Sequence, residues 1–228
     1  TVTGSTTTDY TGVGGILGES TQTYSNVQYC VNFGAVEGTG TSGKVCIGGV
    51  VGKIGSSSPY YTLNVSLRDC ANYGEVTSSS SSAYIGGVAG YLEKGIDIYE
   101  ENSEIENCYN DGDISYEGDH RPGGIVGCVD LNCVTARCIN YGNIPHGNGV
   151  IGTHEGSSWE YEQIYTLEGT YYPDSNWPDG THVFSAEQMG DSGYWDDTKL
   201  DFITVWIIKN GRPELVNCPF QYSKAPIE

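Results

Sequence analysis

Short apolar segments recur along the first two-thirds of the chain, and polar stretches of variable length separate them. One recurring segment is Gly-apolar-x-Gly, usually preceded by another Gly, and it ends at Gly18, Gly52, Gly90, Gly127 and, in a weaker copy, Gly152. The other is C-x-N-x-G-x-[VI], which begins at Cys30, Cys70, Cys108 and Cys138. Fixed short strands with variable polar insertions are typical of a solenoid, whose loops leave each coil at its corners.

The second motif predicts the interior of such a coil, because side chains along a strand point alternately to its two faces. Its Cys and Asn share a phase, so both are predicted to point inward and to lie on their equivalents in the next coil, about 4.8 Å away. The asparagine amides then hydrogen-bond along the axis, since a buried amide needs partners. The Gly that follows is predicted to supply a bend with positive φ, after which Val or Ile returns to the core.

The cysteines of the motif are predicted to be buried free thiols. Stacked positions lie within the Cα range of a disulfide, but in-register parallel strands hold their Cβ vectors side by side, and the bond torsion requires them to rotate. A thiol fills such a column as a small apolar group. The remaining cysteines, Cys46, Cys128, Cys133 and Cys218, lie outside the ladder. They are free to pair, and Cys128 with Cys133 could close a small disulfide.

The fold class predicted from these patterns is all-β: a parallel β-helix, or solenoid, of about five coils with a small C-terminal cap. The solenoid is assigned to residues 1–170, with its coils between about residues 12 and 165, and the capping segment to residues 171–228. A solenoid ends in unpaired strand edges, so we expect the capping segment to cover that end.

Three local patterns predict the elements of the capping segment. Ser185 and Gln188 form a capping box for one short helix. The apolar run FITVWII, Phe202 to Ile208, predicts a strand. The sequence NGR, Asn210 to Arg212, predicts a turn, after which the chain from Pro213 to Val216 pairs back.

The alternating motifs resemble the GLUG-motif repeat family over roughly residues 12–170, through segments such as GGIVG and NCYNDGDI. Members of that family occur in large secreted or wall-attached bacterial proteins, and some are adhesin-like or accompany bacterial immunoglobulin A proteases. The resemblance implies an extracellular accessory module, and it carries over no catalytic residue because the family motif contains none. The fifth coil departs from the pattern, since IYTLEGTYY, Ile164 to Tyr172, stands where a Cys-containing segment would fall.

Composition narrows the classes of partner. The 228 residues include 10 Lys and Arg against 29 Asp and Glu, which gives a net charge of −19. Binding to nucleic acid or to anionic membrane surfaces needs clustered cations, so neither is expected. The chain contains no apolar run of the length that a membrane span requires. The first residues, TVTGSTTTDY, carry no signal-peptide pattern and look like an internal cut of a larger chain.

An acidic group near the third coil is the strongest candidate for chemistry: Asp111, Asp113, Glu117 and Asp119, followed by His120. Glycoside hydrolysis needs two carboxylates that face a cleft. Asp111 and Asp113, however, occupy variable positions of the motif that should face solvent. The same acidic loops could bind calcium through oxygen ligands, although their spacing is not that of an EF-hand. We therefore assign no catalytic, cofactor-binding or metal-binding residue.

Tyrosines in the polar insertions suit recognition of a glycan or of a host-surface or cell-surface protein; they are Tyr60, Tyr61, Tyr84, Tyr99 and Tyr116. Packing over the coil exterior is the equal alternative. The leading hypothesis is a non-catalytic extracellular adhesion or structural module, a monomeric part of a larger bacterial surface protein. The alternative is a carbohydrate-active β-helix enzyme (a polysaccharide lyase or glycoside hydrolase) or an ancillary domain of a secreted protease. A groove lined by three or more carboxylates along one sheet would favour the enzyme.

Overall fold

The computed structural model of the chain describes residues 1–6, 10–21, 24–40, 43–55, 64–93, 103–118, 120, 122–130, 133–155, 160–169, 181–195, 198 and 200–218. Within these ranges nearly all regular structure is β, apart from one short α-helix and one 3-10 helix. Most strands have four residues or fewer, as a coil with many corners requires.

The strands are numbered in chain order, and groups of five repeat coil after coil. The first coil contains β1 (Val2–Thr6), β2 (Thr11–Gly14), β3 (Leu17–Ser20), β4 (Tyr24–Gln28) and β5 (Val31–Asn32). The second contains β6 (Val36–Gly40), β7 (Val45–Gly48), β8 (Val51–Ile54), β9 (Asn64–Arg68) and β10 (Ala71–Asn72). The third contains β11 (Val76–Ser78), β12 (Ala83–Gly86), β13 (Ala89–Leu92), β14 (Ser103–Glu106) and β15 (Tyr109–Asn110).

The later coils have fewer regular strands. The fourth contains β16 (Ile114–Tyr116), β17 (Val126–Val129), β18 (Cys133–Ala136) and β19 (Ile139–Asn140), and the fifth contains β20 (Ile151–His154), β21 (Glu160–Glu162) and β22 (Ile164–Leu167). Beyond them lie β23 (Thr181–Phe184), α1 (Ala186–Gly190), the 3-10 turn Ser192–Trp195, β24 (Trp206–Lys209) and β25 (Arg212–Leu215).

Equivalent strands of successive coils stack into five parallel sheets, which we name A to E. Their orders are β1-β6-β11-β16 for sheet A, β2-β7-β12 for B, β3-β8-β13-β17-β20 for C, β4-β9-β14-β18-β21 for D and β5-β10-β15-β19-β22-β23 for E. Isolated bridges from Gly86 to Gly123 and on to Asn148 continue sheet B. This arrangement confirms the predicted parallel β-helix of about five coils.

The register places equivalent motif residues directly over one another. Val36, Val76 and Ile114 form one column in sheet A, and each is buried. The motif cysteines form another column and are free thiols, of which Cys30, in the first coil, is only half-buried. Each cysteine also contacts the carbonyl two residues before it, as in the 3.1 Å approach of Cys138 Sγ to Ala136 O. The predicted column of thiols is therefore present.

The asparagines of the same motif form a continuous amide ladder through the interior. Asn32 Nδ2 donates to Asn72 Oδ1 at 2.8 Å, and Asn72 Nδ2 donates to Asn110 Oδ1 at 2.9 Å. Asn110 Nδ2 donates to Asn140 Oδ1 at 2.9 Å, and the ladder ends on Thr166 Oγ1 in the fifth coil. The ladder confirms the prediction that the amides satisfy one another along the axis.

The prediction that the glycine of the C-x-N-x-G motif supplies a bend with positive φ is wrong. Gly74, Gly112 and Gly142 are not among the residues with positive φ. The left-handed residue stands instead just before the cysteine, at Tyr29, Asp69, Asn107 and Arg137, and at Gln163 before Ile164. Glycine is needed for space, because a Cβ on Gly112 would lie 2.0 Å from the carbonyl oxygen of Gly74 in the coil below.

The two sequence motifs meet inside the coil. A Cβ on Gly87, the second glycine of GGVAG, would lie 2.3 Å from Asn110 Cγ, and one on Gly124 would lie 2.3 Å from Asn140 Cγ. The amide ladder thus packs against a glycine column on the opposite wall. A residue with a Cβ at Gly87 or Gly124 would therefore displace the asparagine that packs against it.

The C-terminal segment lies along the outer face of sheet E. Its buried residues Met189, Trp195, Leu200, Trp206, Leu215 and Cys218 share one apolar cluster with Ala71, Tyr109, Ile139 and Tyr165 of that sheet. Among the described residues of this segment, β23 adds to the end of the stack, where it pairs in parallel with β22. The described part of the segment therefore covers a flank over several coils, and through β23 it also adds a strand at the open end that the sequence predicted it would cover.

Local predictions for this segment have mixed outcomes. The capping box of Ser185 and Gln188 is present at the start of α1. The turn at Asn210 and Gly211, with φ of 53° and 75°, joins β24 to β25 as predicted. The strand predicted from Phe202 begins only at Trp206, because Asp201 Oδ1 accepts the amides of Ile203 and Thr204 at 2.8 and 2.9 Å and holds the chain in a turn.

Candidate functional site

The structure separates the acidic residues that the sequence had grouped. Asp111 points to the flank covered by the C-terminal segment, where Arg212 Nη1 donates to both of its carboxylate oxygens at 2.9 Å. The expectation that Asp111 faces solvent is therefore wrong. Asp113 is exposed, as expected, and accepts the amide of Asn143 at 3.0 Å. Asp119 lies outside the described residues.

A shallow groove of about 270 Å³ lies on the outer face of sheet A. Its lining residues are rich in hydroxyl groups and include two carboxylates: Glu37, Thr77, Ser78, Ser79, Ser115, Tyr116 and Glu117. The parallel register creates this surface, because Glu37, Thr77 and Ser115 stack in successive coils on the outward side of the strands. We call it the sheet A groove.

The chemistry of the groove is that of hydrogen bonding. Hydroxyls both donate and accept, and ionised carboxylates accept. Tyr116 contributes its ring, since its hydroxyl is used in a 2.7 Å bond to the carbonyl of Pro145. His120, at the neighbouring corner, contacts Ser80 O through Nε2 at 2.8 Å and lies beside the Tyr116 ring. The groove has two carboxylates in its lining, fewer than the three that would have favoured an enzyme.

The basic side chains of the described residues all take part in intramolecular ion pairs. Each of the six Lys and Arg in these ranges forms an intramolecular ion pair: Lys44, Lys53, Arg68, Arg137, Lys209 and Arg212. None of these six belongs to a strand of sheet A. In the described part of the chain, the groove is therefore an acidic and hydroxyl-rich surface.

Sheets B and C enclose a second polar group, which the sequence analysis missed. The two sheets face each other so closely that a Cβ on Gly90 would lie 2.4 Å from the Ile47 amide nitrogen. Beyond the glycines, aromatic, charged and thiol side chains fill the gap, and we call them the arch cluster: Tyr10, Glu19, Lys44, Cys46, Lys53, Tyr84, Tyr91, Glu93, Cys128 and Glu155.

Hydrogen bonds and ion pairs connect the arch cluster across coils. Glu155 accepts the hydroxyls of Tyr84 and of Tyr91, the latter at 3.1 Å. Lys44 Nζ donates to the Tyr84 hydroxyl at 2.5 Å and lies 4.0 Å from the centre of that ring. Lys53 Nζ, deeper in the gap, lies 3.1 Å from Glu93 Oε2. Lys53 and Glu93 are 6 % and 7 % exposed, so each neutralises a charge that could not be buried alone.

The raised pKa values of tyrosine and cysteine side chains in the arch cluster agree with a structural role. Burial raises the pKa of the Tyr84 and Tyr91 hydroxyls, and Glu155 raises both further. Burial also raises the pKa of the Cys46 thiol to about 12. At neutral pH these groups therefore stay protonated and act as hydrogen-bond donors, and a thiol of this kind is a poor nucleophile.

The tyrosines predicted to form a recognition surface divide into two groups. Tyr60, Tyr61 and Tyr99 lie outside the described residues. Tyr84 is in β12 and belongs to the arch cluster, so it braces the interior of the protein. Tyr116 lines the sheet A groove. Only Tyr116 of the described pair thus contributes to an open surface.

The cysteines outside the ladder also lie apart from one another. Cys128 is in the arch cluster, whereas Cys133 packs in the main core with the ladder cysteines. The arch cluster and the main core lie on opposite faces of sheet C, so a Cys128–Cys133 disulfide does not fit this fold. Cys218, in the C-terminal segment, contacts Asp69 O through Sγ at 3.0 Å. All eight cysteines are free thiols.

Two features are absent from the described residues. Nowhere in these ranges do three or more His, Cys, Asp or Glu side chains converge in a way that could hold a metal ion. None of the helices in the same ranges is long and apolar enough to cross a membrane.

Stacked in-register parallel strands around an inward amide ladder define this chain as a parallel β-helix built of repeated coils. The family model of the GLUG motif matches residues 81–115. The matched segment runs through the third coil and contains one copy of each motif, GGVAG and CYNDGDI. Comparisons with curated proteins and with solved structures gave no match.

Proposed function

We propose that this chain is a non-catalytic adhesion or structural module of a larger, extracellular bacterial surface protein, and that it binds glycan through the sheet A groove. The observation that carries the proposal is the chemistry of that groove: stacked hydroxyls and carboxylates on a rigid outer face, with an aromatic ring at one side. Sugars present many hydroxyl groups, which pair with such donors and acceptors.

Rigidity of the scaffold supports the same proposal. The amide ladder, the thiol column and the arch cluster tie successive coils together, so the groove residues have fixed spacing along the solenoid axis. A binding surface with fixed spacing requires little ordering when a linear polymer binds along it. The excess of acidic residues keeps such an extended module soluble and separate from its neighbours.

The test is calorimetric titration of the protein with a panel of neutral and amino-sugar oligosaccharides. Replacement of Glu37 by Gln should weaken binding of the best ligand about tenfold, since a hydrogen bond to a charged group contributes about 1.5–3 kcal/mol. Ser115→Ala should weaken it less. Glu187→Gln, on the exposed side of α1, is the matched charge control and should bind as the wild type does. Absence of binding at millimolar ligand, or equal binding by all variants, would overturn the proposal.

One observation favours a second candidate, a carbohydrate-active enzyme. Glu37 and Glu117 line the same groove, and glycoside hydrolysis uses two carboxylates that flank the scissile bond. Release of reducing ends from a polysaccharide by the wild type, and its loss in Glu117→Gln, would establish this alternative. Binding without turnover would support the non-catalytic module.

A further inference from the structure

Three tyrosine rings of the arch cluster lie close to one another. The ring centres of Tyr84 and Tyr91 are 5.2 Å apart, and the Tyr10 ring lies 6.3 Å from the first and 5.6 Å from the second. Tyr84 is in β12 of sheet B and Tyr91 is in β13 of sheet C, so their contact bridges the gap between the two sheets. A covalent bond between these two rings would join the sheets within the third coil.

One carboxylate holds the hydroxyls of Tyr84 and Tyr91 side by side. Glu155 accepts the Tyr84 hydroxyl through Oε1 and the Tyr91 hydroxyl through Oε2, the latter at 3.1 Å. Two hydroxyls that meet at one carboxylate bring the ring carbons next to them, the ortho carbons, close together. The ring planes are tilted by 42°, and two aromatic rings joined by a single bond are likewise twisted out of a common plane. The arrangement matches dityrosine, in which the two hydroxyls flank the bond between the rings.

Formation of that bond needs a base, and Glu155 is placed to act as one. Burial raises the pKa of both hydroxyls, so each still carries its proton at neutral pH. Loss of an electron alone would leave a positively charged ring in a buried site, which is costly, so the proton must leave with the electron. Glu155 is hydrogen-bonded to both protons. Because its side chain is 39 % exposed, it can pass each proton on to solvent.

We infer that the third coil carries a site for oxidative cross-linking of Tyr84 to Tyr91 by two equivalents of a one-electron oxidant, such as the oxidised haem of a peroxidase. Each tyrosine gives one electron to the oxidant and its hydroxyl proton to Glu155, which leaves a neutral phenoxyl radical. The two radicals couple through a carbon–carbon bond between their ortho carbons. The hydrogen on each of those carbons then moves to the adjacent oxygen, so both hydroxyls are restored. The net change is the loss of two electrons and two protons.

A second tyrosine pair in the same chain is a matched control. The ring centres of Tyr73 and Tyr109 are 5.7 Å apart, nearly the same separation, but these rings meet edge to face at 61°. The Tyr73 hydroxyl donates to the carbonyl oxygen of Cys218 at 3.4 Å, and a carbonyl is a far weaker base than a carboxylate. We therefore expect this pair to stay unlinked under the same oxidant.

The experiment treats the purified protein with tris(bipyridine)ruthenium(III), a one-electron oxidant that light and persulfate generate from the ruthenium(II) complex. Tyr84 and Tyr91 lie in one tryptic peptide, residues 69–94. That peptide should lose two hydrogen atoms, release no separate fragments between residues 84 and 91 in tandem mass spectrometry, and show the blue fluorescence of dityrosine. A link from it to residues 95–137, the peptide of Tyr109, should be absent.

Three variants separate the role of the rings from that of the base. Tyr91→Phe should abolish the cross-link, whereas Tyr10→Phe should leave its yield unchanged. Glu155→Gln keeps the size of the side chain and a carbonyl acceptor but lacks the base. It should slow cross-linking about 100-fold, the lower end of what a positioned base contributes. A circular-dichroism spectrum like that of the wild type shows that each variant is folded.

Four results would overturn the inference. The absence of a cross-link, or a main product that joins Tyr10 or an arch-cluster thiol to either ring, would show that the shared carboxylate does not select this pair. Equal yields of the control link and of the Tyr84–Tyr91 link would show the same. An unchanged rate in folded Glu155→Gln would show that Glu155 is not the base. None of these results depends on glycan binding, so the outcome is independent of the proposed function.

Discussion

Replacement of Asn110 by Asp tests whether the amide ladder holds the solenoid together. Asn110 is fully buried, and its side chain makes four hydrogen bonds within the ladder. It donates to Gly112 O and to Asn140 Oδ1, both at 2.9 Å, and accepts from Asn72 Nδ2 at 2.9 Å and from Gly112 N at 3.3 Å. Aspartate has the same shape, so packing is retained and only the two donors are lost.

The magnitude follows from the groups left without a partner. Gly112 O and Asn140 Oδ1 each lose a buried hydrogen bond, at a cost of about 1–3 kcal/mol apiece. We therefore expect Asn110→Asp to lower the free energy of unfolding by about 2–6 kcal/mol at pH 7, measured by urea denaturation. Asn26→Asp in β4, an exposed strand position, is the control and should change stability by less than about 0.5 kcal/mol.

The effect also has a predicted pH dependence. Burial and two facing oxygen acceptors should raise the pKa of the new carboxyl in the folded protein above the ordinary Asp value of about 3.9. The fold then favours the protonated acid, which can donate one of the two lost bonds. The loss relative to wild type should be smallest below about pH 4 and should grow as the pH rises through the folded pKa. A loss below about 1 kcal/mol at pH 7, or one independent of pH, would refute this account of the ladder.

Three further predictions concern the coil contacts, the thiols and the flank. Gly112→Ala should lower the free energy of unfolding in urea by several kcal/mol, because its Cβ would lie 2.0 Å from a backbone oxygen. Gly169→Ala, at a position with positive φ but open space, should lower it by only about 1–2 kcal/mol. Equal losses in the two variants would contradict the steric argument. Cys108→Ser should lower the free energy of unfolding by about 1–3 kcal/mol, the cost of a buried hydroxyl without a hydrogen-bond partner. Alkylation of the unfolded, unreduced protein should modify all eight cysteines, as read by mass spectrometry. Cysteines that are alkylated only after a reductant is added would be disulfide-bonded and would contradict this prediction. Arg212→Ala should lower stability by about 1–2 kcal/mol and expose the flank to dye binding, and an unchanged melting curve would show that its pairing with sheet E contributes nothing.

Features that repeat along the chain could be predicted from the sequence. The phase of Cys and Asn in C-x-N-x-G-x-[VI] places both inward, and four copies of one strand can satisfy buried amides only by stacking in register. The ladder from Asn32 to Asn140 follows from that reasoning alone. The repeat needed no knowledge of distant contacts, because each coil interacts chiefly with the next.

Features that occur once were decided by the tertiary structure. The sequence gives no signal that Tyr84 meets Glu155 across 71 positions, or that Arg212 meets Asp111 across 101. The same is true of the open groove beside Tyr116, which residues of three successive coils line together. These contacts join residues that share no motif, so no periodicity in the sequence predicts them.

The position of the left-handed residue shows, within a single motif, which features the sequence determines and which the tertiary structure decides. The pattern establishes that a corner lies beside each C-x-N-x-G segment, and the structure places its left-handed residue at positions such as Asp69, before the cysteine. Gly112 is required for another reason, the 2.0 Å approach of the coil below. A sequence can show that only a small residue is tolerated, but conformational freedom and close contact make the same demand, and only the packed neighbour tells them apart.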